Sequence, residues 1–192
     1  MSKVKGLNET SIQILAPMYK GENGIDLLNI LLQNLFNPKE KDKKEIKVGD
    51  VIYREKDKVL QLVNDPDNNV YNGDIGYIHK INKDGHNKDI VTIDFDGNYI
   101  EYKKEDMINV KHAYAITIHK AQGSEFNHVI MPISSSYKKM LYNKLIYTGV
   151  SRAKKSLVII GDPKVFVEAS KNSYSTTRKT NLSLMIMNNL QD

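Results

Sequence analysis

"AYAITIHKAQGSEFNHVIMPI" (113–133) sets two apolar runs around a dense polar turn. The first, "AYAIT", reads as a short strand or as the lead into a helix, and the second, "VIMPI", as a buried strand. Between them stand Thr117, His119, Lys120, Gln122, Gly123 and Glu125. A turn or helix start after a strand presents backbone N–H groups that have no partner in the chain. Gly123 permits close backbone approach or a positive φ. Glu125 suits a sugar hydroxyl, whereas Thr117, His119 and Lys120 suit phosphates. The same residues also fit a capped strand–helix junction with solvated polar groups.

Outward from this turn, strands and helices alternate. "SIQILAP" (11–17) reads as a buried strand ended by Pro17. Asn23 is placed to cap a helix reaching about Leu35, with Ile25, Leu28, Leu31, Leu32 and Leu35 on one face and Asn37-Pro38 as its stop. On the far side, Tyr137 to about Lys154 reads as helix. Its apolar pairs are Leu141 with Leu145 and Tyr147 with Val150. "SLVIIGD" reads as a strand, Pro163 as a helix first turn, and the tail as polar, then weakly amphipathic. These flanks belong to one α/β layer.

The stretch between them has a different character. "VGDVIYRE", "KVLQLV", "GYIHKI", "DIVTIDF" and "NYIEYK" are β-branched and aromatic runs separated by turn-formers. Five such strands predict a small antiparallel barrel, with a tight hairpin at Asp96-Gly97. Ile93, Phe95, Tyr99 and Tyr102 are its candidate apolar contacts. The charge-dense "KEKDKKE" (39–45) marks a boundary. Three segments follow: 1–45 and 111–192 in the α/β layer, and 46–110 as an insert.

Composition narrows the function. The chain has 192 residues, 40% hydrophobic and 27% charged, the balance of a soluble globular protein. No apolar run approaches the roughly 20 residues of a membrane span, and the N-terminus lacks the core of a signal peptide, so a cytoplasmic location is expected. There is no Cys, and the five His lack H-x-x-x-H spacing, so no metal site is expected. Net charge is −3 over residues 1–110 and +8 over 111–192. The basic half suits a polyanion or a Lys-rich solvated surface.

Two further stretches carry chemistry. In "LIYTGVSRAKKSLVIIGD" (145–162), Arg152 falls near a helix C-terminus, where a cation complements the dipole. Its forked, permanently charged donors also suit a transferring phosphoryl group. In "PMYKGENG" (17–24), Lys20 follows a strand and either meets a phosphate or faces water.

Taken in order, "ILAPMYKGENGIDLLNILLQ", "DKVLQLVNDPDNNVYNGDIG", "AYAITIHKAQGSEF" and "LIYTGVSRAKKSLVIIGD" resemble the C-terminal half of RecD-like DNA helicases of superfamily 1. The resemblance runs from about residue 11 to 162. The first stretch resembles motif IV, "TIHKAQGSEF" motif V and "YTGVSRAKK" motif VI. "PMYKGENGIDLLN" favours the RecD-like branch over the relaxase and Pif-type branches. The implied fold is a RecA-like, P-loop NTPase-type parallel sheet without its own P-loop, carrying an inserted SH3-like barrel that includes "NGDIG" (72–76). The resemblance makes Arg152 the γ-phosphate finger, sets Lys20, Gly123 and Glu125 at the nucleotide, and sets Thr117, His119 and Lys120 at single-stranded DNA. Departures are Gly149 where Ala is usual, Ser151 for Thr, and Asn143-Lys144 where Arg-Asn is common. The glycine loosens the helix by about 1 kcal/mol. The shifted charge is rotated by roughly 100°.

No glycine here is followed by Lys, and no Asp-Glu dipeptide occurs, so neither G-x-x-x-x-G-K-[ST] nor a Walker-B pair is present. The expectation is therefore a fragment of an ATP-dependent 5′–3′ helicase. ATP with Mg²⁺ would be used in the intact parent and none bound by the fragment. Its partners would be single-stranded DNA and a P-loop-bearing first motor domain, with a nuclease complex as a further setting. A stand-alone nucleic-acid-binding module without catalysis is the alternative.

Overall fold

The computed structural model describes residues 11–138 and 140–173. The weakly amphipathic tail expected after residue 173 lies outside them.

Strands β1 (Ile12–Ala16), β9 (Ala115–Thr117), β10 (Phe126–Ile133) and β11 (Ala153–Gly161) form one parallel sheet, in the order β11-β10-β1-β9. Central parallel strands are covered on both faces, so β1 reads as an almost unbroken apolar run. Leu15 joins Ile116, Val129, Met131 and Ile133 in the core beneath helices α2 (Asn143–Val150) and α3 (Pro163–Lys171). Ile14 and Ala16 face helix α1 (Ile25–Phe36) on the other side.

Helix α1 keeps part of its predicted face, with Ile25 buried and Leu28 and Leu32 packed against that core, but is rotated from the rest. Its fully buried line is Ile25, Asn29 and Gln33, while Leu31 and Leu35 are 57% and 59% exposed. The cause is the sheet edge. Strand β9 is the outer strand, and its backbone needs partners. Asn29 supplies them, donating to the Ala115 carbonyl and accepting from the Ala115 N–H, both at 2.9 Å. Asn23 is not the cap either. Gly24 holds that position, and a Cβ there would lie 2.3 Å from the Tyr19 carbonyl.

The predicted long helix from Tyr137 is shorter. A 3₁₀ turn covers Ser135–Tyr137, α2 starts at Asn143, and Lys154 and Lys155 lie on β11. Tyr137 is buried and donates its hydroxyl to the Asn23 carbonyl, which ends that turn against the α1 loop. Leu145, Ile146 and Gly149 face inward, and Tyr147 is exposed. Gly149 has a packing reason: a Cβ there would meet Met131 Cε at 2.7 Å and Sδ at 2.9 Å. The thioether fills the space that an alanine methyl would take.

Residues 45–112 hold two antiparallel sheets. The hairpin β2 (Glu45–Val48)–β3 (Val51–Arg54) is one. The other has β4 (Lys58–Gln61), β5 (Ile75–Lys83), β6 (Asp89–Phe95), β7 (Asn98–Lys103) and β8 (Val110–His112), ordered β7-β6-β5-β4-β8. Ile46 and Tyr53 from the hairpin join Val59, Ile78, Val91 and Ile93 in one core. "VGDVIYRE", expected as one strand, is split by a turn at Gly49, φ +59°. Asp96 and Gly97, φ 54° and 91°, make the predicted tight hairpin. That turn resets the alternation, pairing Ile93 with Ile100 and Val91 with Tyr102. Ile100 therefore points inward, and Tyr99 stands outside against His79. The charged link is tied down as well, by Lys43 on Asn37 (2.6 Å) and Lys39 on Glu45 (2.8 Å).

The seam between the insert and the parallel sheet is polar and buried. Asp57, in the β3–β4 turn, is fully buried. It accepts from Gln33 (2.6 Å), Asn37 (2.6 Å), the Arg54 N–H (2.7 Å), Tyr114 (2.9 Å) and His112 (3.0 Å). Burial and the Asp57 charge push the Tyr114 phenol far above its ordinary range. Beside it, buried Lys58 donates to Gln13 Oε1 (2.9 Å) and the Ile12 carbonyl (3.1 Å), both on β1. Burial lowers its amine from 10.5 to about 8.

Asp57→Ala leaves five converging donors without their acceptor, and is expected to cost about 3–5 kcal/mol in denaturant unfolding. A loss below 1 kcal/mol would contradict the hub. For Lys58, the unfolded chain binds more protons than the folded one between pH 8 and 10.5, so stability rises with pH there. The slope is at most about 1.4 kcal/mol per pH unit. Tyr53 and Tyr102, held at about 12, act with opposite sign only above pH 10. Urea midpoints between pH 8 and 10 are expected to rise in the wild type and stay flatter in Lys58→Met.

Candidate functional site

All four strands of the parallel sheet point the same way, so the sheet has a C-terminal and an N-terminal end. Ligands of such sheets gather outside the strand C-termini. Here that end carries Pro17 after β1 and Thr117 at the close of β9. Met18, Tyr19, Thr117, His119, Lys120 and Met140 line a shallow pocket there. Lys111 sits 5.0 Å from the Tyr19 ring centroid, a cation–π contact. Thr117 Oγ1 accepts from the Lys120 N–H at 3.0 Å, His119 is exposed, and Lys20 is exposed nearby.

From Thr117 the chain descends in consecutive turns. Ala121 N–H donates to the Thr117 carbonyl, Gln122 to His119 and Ser124 to Ala121, at 3.1–3.2 Å. Ile118 and Ala121 are buried and anchor the turns in the core. Gly123 has φ +88° and open space around its Cα. The segment ends at Phe126, the first residue of β10, at the opposite end of the sheet.

At this N-terminal end the polar groups of two sequence stretches meet. Phe126 N–H donates to the Arg152 carbonyl at 2.8 Å. Arg152 donates through Nε to the Thr148 carbonyl (3.1 Å), through Nη1 to the Ser124 carbonyl (3.2 Å) and through Nη2 to Ser151 Oγ (3.0 Å). Glu125 pairs with Lys154 at 2.9 Å. The Lys154 hydrogen bond, with its charge and that of Arg152, holds the Glu125 carboxyl below the usual range.

The structure thus brings Gly123, Glu125 and Arg152 together, and Thr117, His119 and Lys120 together. It does not bring Lys20 to Arg152. Lys20 follows the C-terminus of β1, in a loop bonded to Ser134 just beyond β10. Arg152 lies at the other end, and the eight residues of β10 correspond to roughly 25 Å of strand. The grouping of Lys20 with Gly123 and Glu125 is therefore not reproduced within this chain. Sequence reasoning also passed over Tyr19, Lys111 and Asn72, whose side chain meets Lys120 Nζ. The aromatic just before Lys20 was the available signal for the first, and the "NGDIG" stretch that Asn72 opens for the third; nothing linear signals Lys111. Among the described residues no group of three or more His, Asp or Glu is arranged to hold a metal. No helix there is long and apolar enough to cross a membrane.

Two segments of the chain match known families. Residues 28–95 match the family described as the ATP-dependent RecD-like DNA helicase SH3 domain, and residues 112–160 match the UvrD-like helicase C-terminal domain. The ATP-dependent RecD2 DNA helicase of Deinococcus radiodurans is 38% identical over 144 residues, 75% of this chain and 19% of that protein. The RecBCD enzyme subunit RecD of Buchnera aphidicola subsp. Acyrthosiphon pisum is 32% identical over 158 residues, 81% of this chain and 25% of that protein. The chain thus spans a quarter or less of the length of these two relatives. A crystal structure of Bacteroides Pif1 helicase in complex with ADP-AlF3 and single-stranded DNA shares the fold, with a TM-score of 0.54 at 17% identity. It covers 93% of this chain and 45% of that one. With an SH3-type match followed by a helicase C-terminal match, in the order in which the sequence motifs run, the chain belongs to the RecD-like superfamily 1 DNA helicases, over the C-terminal motor region and its SH3-like insert.

Proposed function

We propose that this chain is the second motor domain of an ATP-dependent 5′–3′ DNA helicase, in which Arg152 is the phosphoryl-facing finger. Thr117, His119 and Lys120 grip a single strand at the C-terminal end of the sheet. Gly123 and Glu125 face the nucleotide at the other end. One observation carries this reading: the turns Ile118–Gly123, followed directly by Ser124 and Glu125, take the chain from one end of the sheet to the other.

The chemistry follows from the contacts of Arg152. Its Nη1 rests on the carbonyl of Ser124, the residue whose N–H closes the last of those turns. A phosphoryl oxygen is a stronger, charged acceptor than a neutral carbonyl. Its arrival draws the guanidinium off Ser124 and leaves that carbonyl to find another donor. The lower turns then rearrange while Ile118 and Ala121 stay fixed in the core, and the change is passed toward Lys120. The Glu125–Lys154 pair, exposed on both sides, is weak enough to open in the same movement.

ATP supplies the phosphoryl group and Mg²⁺ its charge neutralisation. Arg152 and the open backbone at Gly123 fit one wall of such a site. The phosphate-cradling loop and the metal-holding carboxylates are not in these 192 residues. They belong to a first motor domain in the same reading. The relative named as a RecBCD enzyme subunit supports a multi-subunit complex as one setting.

A stand-alone nucleic-acid-binding module is the second reading, favoured by the +8 balance of residues 111–192. Hydrolysis separates the two. In a polypeptide that joins a P-loop motor domain to this one, Arg152→Ala is expected to lower DNA-stimulated ATP hydrolysis about a thousandfold. Single-strand affinity should change only a few-fold. Hydrolysis that survives Arg152→Ala, or a joined protein without DNA-stimulated hydrolysis, would count against the motor reading.

A further inference from the structure

The loop between β4 and β5 is held by its own polar groups. Asp65 and Val70 exchange backbone bonds at 2.7 and 3.1 Å, and Asp65 caps the short turn Pro66–Asn68. Asn64 Oδ1 accepts from the Asn72 N–H (2.9 Å), and Asp74 Oδ2 accepts from the Tyr71 N–H (2.7 Å). Gly73 N–H donates to the Gln61 carbonyl at 2.9 Å, and Val70 is fully buried beneath the loop. The backbone of Asn72 is therefore fixed without help from its side chain. That side chain leaves the insert and accepts from Lys120 Nζ, in the turns that follow β9. The backbone of Lys120 is fixed in turn by Thr117.

The chemistry of this pair is informative. Lys120 has no carboxylate partner among the described residues; its ammonium is oriented by a neutral amide oxygen. An acidic residue at 72 would orient it equally well but would cancel its charge. An amide removes rotameric freedom from a long side chain and leaves the full charge for an arriving anion. Met18 and Tyr19 line the same pocket, with the Lys111 cation over the Tyr19 ring, so the anion has an aromatic and apolar neighbour, as a nucleotide in a single strand requires.

We propose that Asn72 is a positioning residue for Lys120, and that through this contact the insert sets the phosphate grip of the motor sheet. The inference rests on the reading of the C-terminal end of the sheet as a single-strand site, and adds the insert as a determinant of that site.

A fluorescence-anisotropy titration with labelled oligothymidylate over a range of salt concentrations tests it on the chain as it stands. Asn72→Ala is expected to weaken binding about three- to tenfold, with the salt slope of the wild type, because no cation is lost. Lys120→Ala is expected to weaken binding and to reduce the magnitude of the slope by about 0.7. The double variant is expected to bind no more weakly than Lys120→Ala alone. Asn72→Asp is expected to weaken binding more than Asn72→Ala and to lower the slope as Lys120→Ala does, since the new carboxylate neutralises the ammonium. Thermal midpoints of the Asn72 variants stay at the wild-type value. An Asn72→Ala effect that persists in full without Lys120, or no effect at all, would overturn the positioning role while leaving the strand site standing. A wild-type chain that fails to bind the oligonucleotide at low salt would remove the strand site itself, and this inference with it.

Discussion

A carboxylate with no access to water must find its solvation in the protein, and Asp57 finds it in donors from four places in the chain. Gln33 and Asn37 come from α1 and its end, Arg54 from the β3 backbone, His112 from β8, and Tyr114 from the residues before β9. Shifting the insert against the sheet would draw some of these donors away from the carboxylate. The hub is thus a geometric constraint as well as a favourable contact. It fixes the angle between the two sheets, and with it the reach of the β4–β5 loop toward Lys120.

The same constraint explains α1. A helix over an apolar sheet face is expected to bury leucines, yet this one buries two amides. Asn29 completes the edge strand, and Gln33 reaches both Asp57 and the Ile52 carbonyl. Unpaired backbone at an edge costs more than a half-exposed leucine, so polar satisfaction decides the rotation of the helix.

That trade marks the limit of what the sequence discloses. Strands β1, β10 and β11 are legible because a parallel strand is an apolar run whatever surrounds it. The Asp96-Gly97 hairpin is legible because its backbone demands such residues. Ile25, Leu28 and Leu32 on α1 are legible too, but the burial of Asn29 is not, since it depends on β9, some ninety residues away. Tyr99 reads as a core contact only if alternation is carried through the Asp96-Gly97 turn, which resets it. At the site, the nearness of Gly123, Glu125 and Arg152 was legible only through the family motifs. Its physical basis is that β10 and β11 start side by side. The position of Lys20 at the other end follows from strand direction, which residue types do not encode.

The insert also governs the order in which the chain can fold. Strand β1 lies between β9 and β10, and its Gln13 bonds to Ala113, 100 residues later. Until that closure, β1 has no strand beside it. Closing so long a loop from an unfolded chain is slow, since entropy is lost before any contact compensates. An insert that has already gathered its own core shortens the effective loop, because Lys58 and His112 then stand on neighbouring strands. Both of them touch the seam. On this topology the antiparallel module is the template on which the parallel sheet closes.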